Sequence, residues 1–151
     1  MILFLPWTPN PKGTPTFVLG ADVVVAWRVL IPGNSYPSGV LGKFPRSIAV
    51  VPGCWFLDVA DLLRGHVRTK HLSAADATQF LTGLQSFTIW VDDETPLRAW
   101  GETFELARRH RIDTADAAYL ELALRLKLPL ATTDATLTRA ATAAGVPIFT
   151  P

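Results

Sequence analysis

The sequence predicts an α/β fold in which a parallel five-stranded sheet is covered by helices on both faces. Two observations carry this. The short apolar runs "TFVLG" (16–20), "SIAVVP" (47–52), "FTIWV" (87–91), "PLATT" (129–133) and "VPIF" (146–149) read as buried strands. Between them lie longer segments of helical periodicity, and strands that alternate with helices build parallel sheets. The chain has 151 residues and no internal repeat or linker, so residues 16–151 form one domain.

Each element has a local reason. Residues 1–15 form an extended, Pro-rich lead-in, with four prolines in "PWTPNPKGTP". After the first strand, Asp22 is placed to cap a helix over 23–30. "IPGNSYPSG" (31–39) is turn chemistry. From 53 to 67, Trp55, Val59, Leu62, Leu63 and His66 follow helical spacing. Ser73 opens a helix reaching Leu84, with Asp76 as its capping-box partner. Thr95-Pro96 starts the next helix, and "ARRHR" sets cations at its end. In "DTADAAYLELALRLKL" (113–128), Leu120, Leu122, Leu124 and Leu126 alternate as in a strand. The run of Ala, Leu, Glu, Arg and Lys nevertheless favours helix. Asp134 caps the last helix and Gly145 ends it.

Composition excludes several classes. Hydrophobic residues make up 49% of the chain, so it is globular and not disordered. A net charge of +1 leaves no global nucleic-acid footprint, and any such binding must be local. The single cysteine, Cys54, excludes an internal disulfide and a multi-cysteine zinc site, and reads as a buried apolar residue. No apolar run reaches the length of a membrane span, and "MILFLPW" lacks the features of a signal peptide. The expectation is a cytoplasmic protein with no membrane contact. No phosphate-binding glycine motif is present.

The carboxylates carry the functional signal. Ligands of open parallel sheets bind beyond the carboxyl ends of the strands. Asp22 and Asp134 lie just after strands, while Asp58 and Asp116 lie in first helical turns. Taken singly, Asp22, Asp116 and Asp134 suit helix N-termini. Asp58 sits in the apolar "VPGCWFLDVADLL" and needs a partner or a metal if buried. Asp61, three residues on, either shares that environment or faces water. A pocket with three or four convergent carboxylates suits a hard cation, Mg²⁺ or Mn²⁺, which activates water and stabilises charge on a phosphodiester. Thr114 and Thr132 are placed to hydrogen-bond those carboxylates. Arg64, His66, Arg68, Lys70 and His71 form a basic stretch suited to RNA phosphates or to a solvated helix end.

"VPGCWFLDVADLL", "TADAAYLELA" and "LATTD", in that order, resemble the PIN-domain family, in particular the VapC-type toxins of toxin–antitoxin pairs. The resemblance spans residues 16–149 and is most specific over "DAAYLELALRLKLPLATTD". It implies a three-layer α/β/α sandwich and a Mg²⁺- or Mn²⁺-dependent endoribonuclease. It also implies a homodimer held inactive by a VapB-like antitoxin. The family's second, third and fourth acids fall on Asp58, Asp116 and Asp134, and its last threonine on Thr132. Asp61 stands where the family has Asn. The frame set by Trp27 puts Gly20 at the first acid and Asp22 at the following serine. Either Asp22 joins a rewired metal site, or the missing acid leaves an RNA-binding or antitoxin-binding module with weakened or no catalysis.

Overall fold

The computed structural model describes residues 12–151, so most of the expected lead-in (1–15) lies outside the described residues. Four strands, β1 (Phe17–Leu19), β2 (Ala49–Val51), β3 (Ile89–Val91) and β4 (Leu130–Ala131), form one sheet in the order β3-β2-β1-β4. All pairs are parallel, with Val18 beside Val50 and Leu130, and Val50 beside Trp90. The sheet is flanked by helices. It has four strands among the described residues, where the sequence suggested five. The expected strand at 146–149 is reduced to a single parallel bridge between Leu130 and Ile148. Pro147 accepts from the Leu130 N–H and the Phe149 N–H donates back to Leu130. Proline has no N–H with which to continue a ladder.

The helices are α1 (Ala21–Ala26), α2 (Tyr36–Leu41), α3 (Trp55–Arg68), α4 (Ala74–Leu84), α5 (Thr95–Arg98), α6 (Phe104–His110), α7 (Thr114–Leu126) and α8 (Ala135–Ala144), with a π-helical turn, Ala99–Thr103, joining α5 to α6. Helix α1 holds three successive valines that are almost fully buried. Burial overrides their poor helix propensity. Helix α2 occupies what the sequence presented as a turn. Pro37 fits its first turn, and the Trp27 indole N–H donates to the Pro37 carbonyl at 2.9 Å. The Ser73 hydroxyl accepts from the Asp76 N–H at 3.0 Å, as the capping signature predicts.

Helix α7 explains the misleading leucine alternation. Residues from Ala117 to Ala123 are all buried, because α6, α8, β1 and β4 surround the helix. The middle of the helix is enclosed and so has no polar face to reveal its period, while Leu124 and Leu126, each 37% exposed, lie toward its outer end. Leu120 and Leu122 are fully buried, and burial of each contributes roughly 1.5–3 kcal/mol. In α3 the buried stripe is narrower, consisting of Trp55, Val59 and Leu63, while Leu62 is 41% exposed. Aromatic rings fill the space beside β1: Phe17 stacks on Phe149 at 4.3 Å, and Trp27, Phe44 and Phe87 meet edge-on or stacked.

Candidate functional site

Parallel strands deliver their carboxyl ends to one edge of the sheet, and the loops after them carry the acids. Asp22 follows β1, Asp58 lies in the first turn of α3 after β2, and Asp134 follows β4. Helix α7 brings in Asp113 as its N-cap residue and Asp116 in its first turn. Asp116 is half-buried, and its carboxyl is pushed up to about 6, first by burial and then by the charges of Asp134, Asp113, Asp58 and Asp22. The structure thus gathers the other three expected acids around the Asp116 carboxyl and adds Asp113. Among the described residues, no arginine or lysine pairs with any of the five.

Each acid is held differently. The Tyr119 hydroxyl donates to Asp58 Oδ2 at 2.7 Å. Burial, reinforced by the Asp58 charge, holds that phenol far above its ordinary range. Burial and Asp58 also push the Cys54 thiol up to about 12, so it stays a protonated apolar neighbour of the site. Asp134 caps α8, its Oδ1 accepting from the Leu137 N–H at 2.7 Å. Asp22 does not cap its own helix, which lacks a side-chain cap. Its Oδ2 instead accepts from the Thr133 N–H and hydroxyl (2.5 and 2.7 Å), the Thr132 hydroxyl (3.2 Å) and the Asp134 N–H (3.2 Å). Thr132, only 4% exposed, also accepts from the Asp134 N–H at 3.1 Å. This threonine therefore does tie two of the acidic segments together.

Other expected residues lie elsewhere. Asp61 is 72% exposed and pairs with Arg64 at 2.7 Å on the wet side of α3, which answers for its charge without a metal. Thr114 is exposed, and its hydroxyl makes no hydrogen bond to a site carboxylate among the described residues. Arg68 lies about 15 Å along the helix axis from Asp58, since each helical residue rises ~1.5 Å. Lys70 lies two residues beyond the end of α3, with a left-handed backbone (φ 61°). The basic stretch is thus set apart from the acids, because α3 leads away from the carboxyl edge.

Sequence reasoning missed Asp113, Tyr119 and Tyr36. The Tyr36 phenol is pushed up to about 12 by burial and by Asp22, and donates to the Phe149 carbonyl at 2.8 Å. The spacing of Asp113 and Tyr119 from Asp116 on one helix was the available signal. Tyr36 had none, because α2 was read as a turn. No group of three His, Cys, Asp or Glu among the described residues is arranged to hold a metal ion. The carboxylate donor set is all oxygen and, among the described residues, free of a pairing arginine or lysine, which suits a hard ion. Mg²⁺ commonly keeps several waters and takes one or two carboxylates, so an all-protein cage is not required.

No protein-family model matches the chain, and no curated protein matches it. Among solved structures, it is similar to PAE2754 from Pyrobaculum aerophilum, with a TM-score of 0.64 and 17% identity over 83% of this chain and 86% of that one. At that identity the likeness shows the fold alone.

Proposed function

We propose that the acidic edge binds Mg²⁺ or Mn²⁺ and that the chain hydrolyses RNA phosphodiesters there, as a PIN-like, VapC-type ribonuclease with a three-layer sandwich fold. The observation that carries this reading is Asp116, half-buried among four carboxylates to which no arginine or lysine is paired among the described residues. Such an arrangement is unfavourable on its own and becomes favourable when a cation arrives. RNA as the substrate rests on the motif resemblance.

Asp116 would hold the ion together with Asp58 or Asp134. When bound, the ion supplies activated water and takes up charge on the phosphodiester. The chain's own groups fix the carboxylates: Tyr119 orients Asp58, the α8 N-terminus orients Asp134, and Thr132 joins the Asp22 and Asp134 segments. The same reading places the protein in the cytoplasm, as a homodimer and the target of a VapB-like antitoxin. Support for a protein partner comes from Leu97, Trp100 and Phe104, which stand exposed at helical spacing, Trp100 by 98%. No helix among the described residues is long and apolar enough to cross a membrane.

A second reading, an RNA- or antitoxin-binding module with weak or no catalysis, is favoured by one observation. Position 20 has no acid, and the nearby Asp22 Oδ2 is occupied by protein donors. The deciding experiment is RNA cleavage by the purified protein with Mn²⁺ and with chelator. The nuclease reading expects cleavage with Mn²⁺ that chelation and Asp116→Asn both abolish. Absence of cleavage, with RNA or a partner protein still bound, selects the module.

A further inference from the structure

We infer that Asp22 is a positioning residue, a latch that ties the β1–α1 junction to the β4–α8 turn across a glycine kept small to admit it. Gly20 has φ −68° and ψ 143°, an extended backbone open to any residue, so conformation does not require glycine there. Space does. A Cβ at position 20 would fall on Asp22 Oδ1 and lie 2.7 Å from the Ala131 carbonyl oxygen. That carbonyl already accepts the Gly20 N–H at 2.8 Å, closing the β1–β4 ladder. One carboxylate oxygen thus lies over the glycine, while the other reaches the far segment.

The reach spans more than a hundred residues of sequence. Four donors from Thr132, Thr133 and Asp134 converge on Asp22 Oδ2. A carboxylate oxygen offers about two lone-pair directions, so this one is filled by protein donors and has no room for a further ligand. The effect passes outward through named bonds. Thr132 links Asp22 to the Asp134 N–H, and Asp134 caps α8 with the carboxylate whose charge reaches Asp116. Releasing Asp22 frees the turn that places Asp134. The latch stands on geometry alone, while its consequence for metal binding rests on the proposed function.

The test compares Asp22→Ala with Asp22→Asn. Asparagine keeps one acceptor oxygen for Thr133 and turns an amide toward Gly20, whereas alanine removes the acceptor altogether. In Asp22→Ala, the Thr133 amide is expected to exchange hydrogen about 10–100-fold faster, as expected for loss of a charge-assisted bond. Mn²⁺ affinity is expected to fall about 10-fold or more, and Asp22→Asn to restore most of both, as groups that orient ligands do. Equal Mn²⁺ loss in both variants, with Thr133 still protected in Asp22→Asn, overturns the inference and makes Asp22 a ligand. Unchanged Thr133 exchange in Asp22→Ala overturns it as well. If the unmutated protein binds no Mn²⁺ and cleaves no RNA, the proposed function falls, and the exchange data alone decide the latch.

Discussion

Two groups of acids share this fold, and their surroundings are opposite. One is Asp92, Glu94, Glu102 and Glu121, gathered around Arg98 and Arg125. Arg125 reaches Glu121 at 2.8 Å, Asp92 at 2.9 Å and Glu94 at 3.8 Å, and Arg98 reaches Glu94 at 2.6 Å and Glu102 at 3.2 Å. The Asp92 and Glu121 side chains are only 8% and 7% exposed. The other group is Asp22, Asp58, Asp113, Asp116 and Asp134, with no arginine or lysine paired to them among the described residues. Buried acids answered by guanidinium groups form structure. Acids gathered without one leave a deficit of positive charge that an external cation can fill. The contrast teaches that an acidic cluster is read by what compensates it, more than by how many acids it holds.

The sharpest way to break the contrast is to remove the internal cation. Arg125→Met should destabilise the protein by about 3–5 kcal/mol, because it strands Asp92 and Glu121 as unpaired buried charges. Denaturant unfolding measures this, and cleavage by the remaining folded protein should be unaltered. A loss below about 1 kcal/mol would show that the network is not what holds α7 to the segment after β3. At the uncompensated site the signs reverse. On the proposed nuclease reading, Asp116→Asn should lower Mn²⁺-dependent cleavage by about 100-fold or more, on the scale of losing a group that stabilises transition-state charge. Stability without metal should hold or rise, since a repelled charge has been removed.

The pH profile sharpens the comparison further. The Asp116 carboxyl, raised to about 6 in the folded chain, has an ordinary value of 3.8. Between these values the folded state binds the extra proton, so its contribution to stability is complete below pH 3.8 and lost as pH rises toward about 6. In chelator, melting curves of Asp116→Asn should lack this fall, and Mn²⁺ should shift the native midpoint downward. Carboxyl resonances followed through the titration would check it. The smallest effect belongs to the wet face of α3. Asp61→Ala should change stability by less than about 0.5 kcal/mol and leave cleavage intact, because an exposed pair contributes little.

The helical elements that were legible in advance had local causes. Ser73 with Asp76, Pro96 in a first helical turn, Asp134 at an N-cap and Gly145 in the left-handed conformation (φ 79°) all act within a few residues. Helix α2 was hidden because its stability comes partly from a Trp27 contact ten residues away. The fifth strand was over-read because an apolar run containing Pro147 offers hydrophobicity without a full set of donors. Of the acids, Asp58, Asp116 and Asp134 stood out through their motifs, whereas Asp113 carried no signal of its own beyond its spacing from Asp116 and Asp61 was placed too near the site. Asp61 looked close to Asp58 in sequence, but helical rotation carried it to solvent and Arg64.

By itself, the sequence determined the alternation of strands and helices, the caps that start and stop several of them, and the acids at the strand ends. Those depend on period, propensity and turn chemistry, which act over short stretches of chain. Only the tertiary structure decided which acids meet, which are neutralised and which are tied down. Arg125 finds Asp92 across 33 residues, and Asp22 finds Thr133 across 111. Charge compensation and hydrogen-bond satisfaction depend on distance in space, and that is settled when the sheet brings its carboxyl ends together. Gly20 is the plainest instance: in sequence it is a lone glycine at a strand end, and in the fold it is the space that Asp22 occupies.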